Sequence, residues 1–352
     1  MDTADRPNAP PDPVPVRALA ASALLCAVLW ALDLLIPGSP VLTPFVGDGA
    51  SIPAAAPLYA FWWPVWRVEG LAFVLVAGTI AVLVPRLCTE SRTSRALFLA
   101  VLMASAIALP LALFAVRQPL GDLGSLLALY ENEEVVFDAP RIHGYLPFLA
   151  QYVESMPGLS LHGKHFPPGH VTWIYALQQA FGPSLLAVAL VVLGAFAAAI
   201  LLAHETLREL AGERAARAGS LLLLASPSLL DFACTSMDAV FLPWATLASY
   251  LAARLANALR RRARGAFVAL ALATGAVLLV ATFFSFSALP VGLVIGLFLL
   301  FAGRRELART ALALAVVGAS YAAAGVVLFL ATRFSIVACL SKVVEFGEGF
   351  MS

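Results

Sequence analysis

The sequence carries little charge. Only 12% of its 352 residues are Asp, Glu, Lys or Arg, 61% are hydrophobic, and the mean hydropathy is +0.91. Soluble domains hold about 25% charged residues, so a soluble globular chain is excluded. The alternating pattern of barrel strands is also absent. Instead, repeated apolar runs of about 16 to 21 residues match helices that cross a hydrocarbon core of roughly 30 Å. The expected fold class is an all-α polytopic membrane protein.

The sequence also has few cysteines and no recognisable signal-peptide cleavage site. The four cysteines show no metal-ligand spacing. Cys26 lies inside an apolar run and Cys88 in a short loop, so no disulfide framework is expected. The N-terminus is a polar, Pro-rich tail, and no small-x-small cleavage signal follows its first apolar run. That run is therefore expected to remain as an uncleaved anchor.

The apolar runs predict about nine transmembrane helices. Their expected positions are 18–36, 68–85, 97–116, 184–204, 216–230, 239–258, 266–284, 288–302 and 310–331. The predicted organisation is a cytoplasmic Pro-rich tail (1–17), three transmembrane helices (18–116), an extracytoplasmic loop (117–183), six transmembrane helices (184–332) and an extracytoplasmic tail (333–352).

Arginine and lysine placement favours a cytoplasmic N-terminus. In that orientation 16 of the 22 basic residues fall in cytoplasmic segments. The six outside are Arg67, Arg117, Arg141, Lys164, Arg333 and Lys342. Because cytoplasmic loops carry an excess of Lys and Arg, we expect a multi-pass protein of the cell (plasma) membrane with loop 117–183 outside.

Acidic residues cluster in loop 117–183. Glu131, Glu133, Glu134 and Asp138 lie within eight residues of one another. A carboxylate at the membrane surface acts as a general base when burial and a hydrogen-bond partner tune it to take a proton from a hydroxyl. Acidic runs in loops are also often simply solvated. The spacing alone leaves both interpretations open.

Basic and imidazole side chains surround a Pro-Pro-Gly corner at 167–169. They are His162, Lys164, His165 and His170. The prolines fix φ and remove two N–H donors, and the glycine permits a tight turn before a helix. Cationic side chains at a helix N-terminus suit an anionic phosphate. The alternatives are a metal site, although the spacing matches no metal signature, and a rigid corner with exposed histidines.

The segment that follows this corner, HVTWIYALQQAFG, is helical in pattern but about 14 residues long. Because that is too short to span a membrane, it is predicted to be a juxtamembrane helix in the outer interface.

Two further carboxylates, Asp231 and Asp238, flank the sequence CTSM before the helix predicted at 239–258. Asp238 fits the first turn of that helix, where Ser236 or Thr235 would be the cap and the helix dipole favours a carboxylate. An ionisable group beside a polar loop at the membrane surface is also a reasonable component of a functional site.

In this order, these motifs resemble the first large extracytoplasmic loop of the GT-C glycosyltransferases. That superfamily includes the protein O-mannosyltransferases and the aminoarabinose transferase that acts on lipid A. Glu133 matches the family's acidic position best, with Glu134 and Asp138 as near alternatives. The sequence HFPPG at 165–169 matches its H-x-P-P-G stretch, and FG at 181–182 matches the end of the helix that follows.

A later segment, SPSLLDFACTSMDAVFLPWATLASYLA, is similar to the family's Ser-Pro followed by an acidic residue at a helix start. Pro227 and Asp238 occupy those positions. Most members continue with more helices or a soluble domain, so the chain is expected to be a short version of the family.

The resemblance implies an inverting transferase that moves a sugar from a polyprenyl-phosphate donor to an acceptor outside the membrane. The acceptor is a protein, a glycan or a lipid. Membrane lipid is a further expected partner, and nucleic acid is not. The implied catalytic residues are Glu133, Glu134, Asp138 and Asp238. The implied donor-phosphate ligands are Arg141, His162, Lys164, His165 and His170.

Three questions stay open. Some family members use a divalent metal and others do not, and the sequence does not choose between them. A transporter is less favoured, because polar residues gather outside the membrane and no internal repeat is visible. A non-catalytic scaffold of the same fold is the remaining alternative.

Overall fold

The computed structural model describes residues 54–55, 60–61, 70–88, 93–128, 134–261 and 264–351. The chain divides into two compact units, Met1–Val65 and Trp66–Ser352. In the first, strand β1 (Ala54–Ala55) pairs antiparallel with strand β2 (Ala60–Phe61). The helix predicted at 18–36 lies outside the described residues.

The described part of the second unit is helical. Its α-helices are α1 (Gly70–Leu87), α2 (Arg95–Arg117), α3 (Tyr145–Ala150), α4 (Tyr152–Ser155), α5 (Leu161–His165), α6 (Gly169–Phe181), α7 (Leu185–Ala211), α8 (Glu213–Leu224), α9 (Pro227–Phe232), α10 (Asp238–Arg260), α11 (Arg264–Phe284), α12 (Ala288–Ala302), α13 (Leu307–Thr332) and α14 (Ile336–Met351). Short 3-10 turns occupy Leu120–Asp122, Ser125–Ala128, Val135–Phe137, Ala139–Arg141 and Met156–Gly158.

Among the described helices, five are long and apolar enough to cross a membrane. They are α2, α7, α10, α11 and α13. The apolar parts of α1 and α12, Gly70–Val84 and Ala288–Ala302, are shorter. The structure therefore supports an all-α protein with several membrane-spanning helices. The count of nine spans is not confirmed.

The single helix predicted at 216–230 is wrong. Helix α8 ends at Leu224 and α9 begins at Pro227. Proline has no N–H to donate to the preceding turn, and its ring drives the residue before it out of the helical region. Ser226 accordingly has an extended ψ of 114°.

Helix α10 lies at the centre of the bundle. It packs against α7 on one side and α11 on another, and α11 packs in turn against α13. Ala248, Ala252 and Ala256 are almost fully buried along α10 at intervals of four residues. Residues four apart share one helix face, and small side chains on such a face let neighbouring membrane helices approach closely.

The C-terminal segment is a helix, although the sequence suggested only a tail at 333–352. Helix α14 packs against α4 and α5. Tyr152, Met156, Phe334 and Cys339 are each no more than 1% exposed and belong to one apolar cluster. This cluster stabilises the short helices of the loop from the side of the C-terminus.

Candidate functional site

Loop 117–183 and the start of α10 meet at a small cavity of about 250 Å³. Its lining residues are Glu134, Val135, His162, Phe166, His170, Phe232, Thr235, Ser236, Met237 and Asp238. The fold thus gathers four of the predicted site residues from distant parts of the sequence. Ligand pockets for drug-sized molecules measure about 300–1,000 Å³, so this volume lies just below that range.

Glu134 and His162 lie side by side in the cavity lining. Nδ1 of His162 lies 3.4 Å from Oε2 of Glu134. The glutamate side chain is 20% exposed and the histidine side chain 46%. Glu134 is therefore a half-buried carboxylate beside a group that becomes a cation on protonation. This is a setting in which a carboxylate can exchange a proton with a bound hydroxyl.

His170, the second residue of α6, is held between aromatic rings. The ring centroids of Phe166 and Phe284 lie 5.6 Å and 5.7 Å from that of His170. Gly169 makes this contact with α11 possible, because a Cβ there would collide with the backbone of Phe283 and Phe284. The Pro-Pro-Gly corner thus starts the helix, as the sequence predicts, and also lets α6 touch α11.

The imidazole of His170 is buried, neutral and incompletely hydrogen-bonded. It is 2% exposed. Burial, and secondarily the positive charge of nearby His162, lower the pKa of His170 to about 4. Its Nε2 has no hydrogen-bond partner among the described residues. Because buried polar atoms are nearly always paired, this nitrogen is a candidate ligand contact. At pH 7 the neutral imidazole can form a hydrogen bond with a bound ligand but carries no charge.

Asp238 is the exposed first residue of α10. The Ser236 Oγ accepts a hydrogen bond from the Asp238 N–H at 3.1 Å and donates one to Oδ2 at 3.3 Å. The N-cap residue of α10 is nevertheless Met237, which makes no side-chain cap hydrogen bond, so the predicted cap by Ser236 or Thr235 is wrong, whereas Asp238 does lie in the first turn. The carboxylate also faces the positive end of the α10 dipole and lines the cavity.

Asp138 lies away from this lining and orders the loop. It is fully buried, and its carboxylate accepts hydrogen bonds from the N–H of Ser160 at 2.9 Å and from its Oγ at 2.6 Å. The same Oγ accepts from the Gly163 N–H at 3.0 Å and caps α5. A Cβ at Gly163 would collide with the Asp138 carboxylate. Asp138, predicted as catalytic, therefore occupies a positioning role.

Tyr152 is a second support that the sequence analysis missed. Its hydroxyl lies 2.8 Å from the Gly163 carbonyl oxygen and 2.9 Å from that of Phe166, and its one hydrogen is shared between these two acceptors. Burial, followed by the charges of Cys339 and Asp138, raises the pKa of Tyr152 well above its usual value, so the donor stays protonated. Nothing in the local pattern marks Tyr152. Ser160 carries a readable signal, because serine before a short helix is a preferred N-cap.

Three predicted phosphate ligands do not line the cavity. Arg141 is 60% exposed and donates to the Gly158 carbonyl oxygen at 2.8 Å. His165 donates from Nδ1 to the Leu161 carbonyl oxygen at 2.7 Å, and its ring faces Phe346 of α14. Lys164 is half-buried and absent from the lining. Of the five predicted phosphate ligands, His162 and His170 line the cavity, and His170 is neutral at pH 7.

The preferred base, Glu133, lies outside the described residues, and its role stays a prediction. Within the described ranges, no three His, Cys, Asp or Glu side chains are grouped so as to hold a metal ion.

The chain was compared with protein-family models, with curated proteins and with solved structures, and none of them matches it. Its function must therefore be argued from its own residues and their geometry.

Proposed function

We propose that the chain is a multi-pass membrane glycosyltransferase that transfers a sugar from a polyprenyl-phosphate donor to an acceptor at the extracytoplasmic face. The observation that carries the proposal is the cavity beside α10. Glu134, His162, His170 and Asp238 line it together, and all four belong to the site that the sequence predicts. The resemblance of the loop and of the α10 start to GT-C enzymes supports the same function.

The proposed topology keeps nine membrane passes. Five are the long helices α2, α7, α10, α11 and α13. The short apolar helices α1 and α12, the broken pair α8 and α9, and the run at 18–36 complete the set. The N-terminus is cytoplasmic, and the cavity lies at the outer surface of the plasma membrane. This placement lets a lipid-linked donor reach the cavity from within the bilayer.

The proposed chemistry is a single inverting displacement. The acceptor hydroxyl oxygen forms a bond to the anomeric carbon as the bond from that carbon to the phosphate oxygen breaks. Polyprenyl phosphate leaves with the electron pair, and Glu134 accepts the hydroxyl proton. Protonated His162 offsets the charge on the phosphate, and Nε2 of His170 hydrogen-bonds to the donor. Asp238 accepts hydrogen bonds from sugar hydroxyls.

The test is sugar transfer by the full chain in proteoliposomes. Polyprenyl-phosphate mannose and polyprenyl-phosphate aminoarabinose are the donor probes, since these are the sugars that the resemblance suggests. Glu134→Gln keeps the size of the side chain and removes the proton acceptor. Turnover should fall roughly 10²–10⁴-fold with donor binding little changed. Glu154→Gln is the matched control, because Glu154 is exposed in the same loop and absent from the cavity lining.

The neighbouring carboxylates decide which residue is the base. Glu133→Gln, Asp138→Asn and Asp238→Asn belong in the same series. An inactive Glu133 variant beside an active Glu134 variant would move the role to Glu133. Transfer that survives in all four would remove the carboxylate mechanism. Donor binding without any transfer by the wild type would favour the scaffold, and solute flux would favour the transporter.

A further inference from the structure

A second cavity, of about 750 Å³, lies where α10 and α12 end. Its lining residues are Leu210, Leu259, Arg260, Phe298, Phe301, Ala302, Gly303, Arg304, Arg305 and Glu306. Helix α10 runs from Asp238 to Arg260 over 23 residues, a length of about 34 Å. The two cavities therefore lie at opposite ends of α10, separated by about the thickness of a bilayer core.

Positive charge dominates this second cavity. Arg260, Arg304 and Arg305 contribute three guanidinium groups against the one carboxylate of Glu306. The Arg304 guanidinium lies 4.8 Å from the centroid of the Phe301 ring, which keeps it against the cavity wall. All three arginines are exposed, and an anion bound among them would be attracted by all three charges at once. Guanidinium groups are also the side chains best suited to binding phosphate.

The rest of the lining is apolar. Leu210, Leu259, Phe298 and Phe301 all face the cavity, and Phe301 is 68% exposed. A free anion gains nothing from an apolar wall, whereas an acyl chain gains free energy for each methylene removed from water. The lining therefore matches a molecule with an anionic end and a hydrocarbon end.

We propose that this cavity binds an anionic phospholipid. The arginines contact the phosphate headgroup, and the acyl chains lie along Phe298 and Phe301. Basic pockets between membrane helices recognise anionic lipids in this way. The site is separate from the sugar-donor cavity at the other end of α10, and it stands whether or not the chain transfers sugar.

The test counts lipid on the full chain, purified in detergent, by native mass spectrometry. Phosphatidylglycerol is titrated against phosphatidylcholine. The wild type should retain phosphatidylglycerol selectively. Replacing the three cavity arginines together by Gln should weaken that binding on the order of 100-fold, because each basic residue contributes about one kcal/mol toward an anionic lipid. Arg305→Gln alone should weaken it about 5-fold, and this single variant preserves the test if the triple variant does not fold.

The matched control changes the same charge elsewhere. Arg86, Arg214 and Arg254 are exposed arginines outside the cavity lining. Their triple Gln variant should bind phosphatidylglycerol like the wild type. If both triple variants lost the same amount of phosphatidylglycerol binding, the effect would come from overall charge, and the proposal would be overturned. Equal affinity for the two lipids would also overturn it, as would displacement of the lipid by millimolar inorganic phosphate, which would indicate a site for a free anion.

Discussion

The two ends of α10 use ionisable residues in different ways. At the end where α10 starts, the carboxylates of Glu134 and Asp238 and two imidazoles line a cavity of about 250 Å³. At the other end, the cavity is about three times larger and its charge comes mainly from arginines. One helix therefore connects a cavity lined by carboxylates and imidazoles to a cavity lined mainly by arginines and apolar side chains.

The arginine end also contains a structural ion network. Arg217 is 2% exposed and donates from Nη1 to the carbonyl oxygens of Leu87 at 3.1 Å and Thr93 at 2.9 Å. Its Nε donates to Glu213 at 2.8 Å. A buried charge with these partners ties α8 to the α1–α2 turn. Nε2 of the buried His204, 4.0 Å from Glu213, has no hydrogen-bond partner among the described residues. Nε2 of His170 has none either, but His170 lines a cavity, whereas His204 lines neither of the two cavities. The comparison teaches that a buried imidazole with an unfilled hydrogen bond indicates a ligand site only where it also borders a cavity.

The largest expected effect is all-or-none and concerns the side of the membrane on which each end lies. Gly158 and Arg261 are exposed at opposite ends of the fold. In a background without the four native cysteines, Gly158→Cys should react with an impermeant maleimide added outside intact cells. Arg261→Cys should react only after permeabilisation. Reaction of both from the same face would end the proposed topology and the contrast between the two ends.

The next effect is on stability at the loop end. Asp138→Ala removes a buried carboxylate and leaves the Ser160 N–H unpaired, so the free energy of unfolding should fall by about 3 kcal/mol. Denaturant unfolding in mixed micelles measures it. Asp122 is exposed in the same loop, and Asp122→Ala should change stability by less than about 0.5 kcal/mol. Similar losses in both variants would remove the positioning role assigned to Asp138.

A pH dependence isolates His170. Its pKa is about 4 in the fold and about 6.5 in the unfolded chain. The unfolded state therefore binds a proton first, and stability is lost as the pH falls from 6.5 toward 4. The loss between pH 7 and pH 5 should be about 2 kcal/mol. His170→Phe keeps the packing against Phe166 and Phe284 and should lack this loss.

His143 supplies the control for this pH dependence, because it is an exposed histidine of the same loop. His143→Gln should follow the wild-type pH profile. A His170→Phe protein that loses as much stability as the wild type would show that His170 titrates normally. Its neutral role in the cavity would then be wrong.

The smallest expected effect concerns the hydroxyl of Tyr152, which stabilises the backbone of loop 117–183. Tyr152→Phe keeps the ring and removes the hydroxyl that bonds two carbonyl oxygens, so it should cost about 1 kcal/mol. Tyr145→Phe is the matched control, because Tyr145 is 41% exposed. Thermal unfolding of the two variants in detergent measures the difference. An unchanged Tyr152→Phe protein would mean that water replaces the hydroxyl.

Much of the helical framework could be predicted from composition alone. The positions of α2, α7, α10, α11 and α13 follow from long apolar runs, because only a helix satisfies its backbone in lipid. The start of α6 at Gly169 follows from the Pro-Pro-Gly corner. Pro227 marks the break between α8 and α9, but the apolar run on both sides of it favours one continuous helix.

The candidate site was predictable only as a set of residues. Local sequence patterns predict both Glu134 and Asp238 as site residues, but no local pattern shows that they line the same cavity. That depends on the packing of α9, α10 and the loop. The local sequence also does not show which carboxylates are buried. Asp138 and Glu134 look alike in the sequence, whereas in the fold one carboxylate anchors Ser160 and the other faces the cavity.

The most direct test of the account is an electron cryomicroscopy structure of the full chain in nanodiscs with polyprenyl phosphate. We predict phosphate density within hydrogen-bond distance of His162 or of Nε2 of His170, with the polyprenyl chain leaving past Phe232. The arginine cavity at the other end of α10 should hold no polyprenyl phosphate. Density for polyprenyl phosphate among Arg260, Arg304 and Arg305, with the Glu134 cavity empty, would contradict the assignment of the donor site.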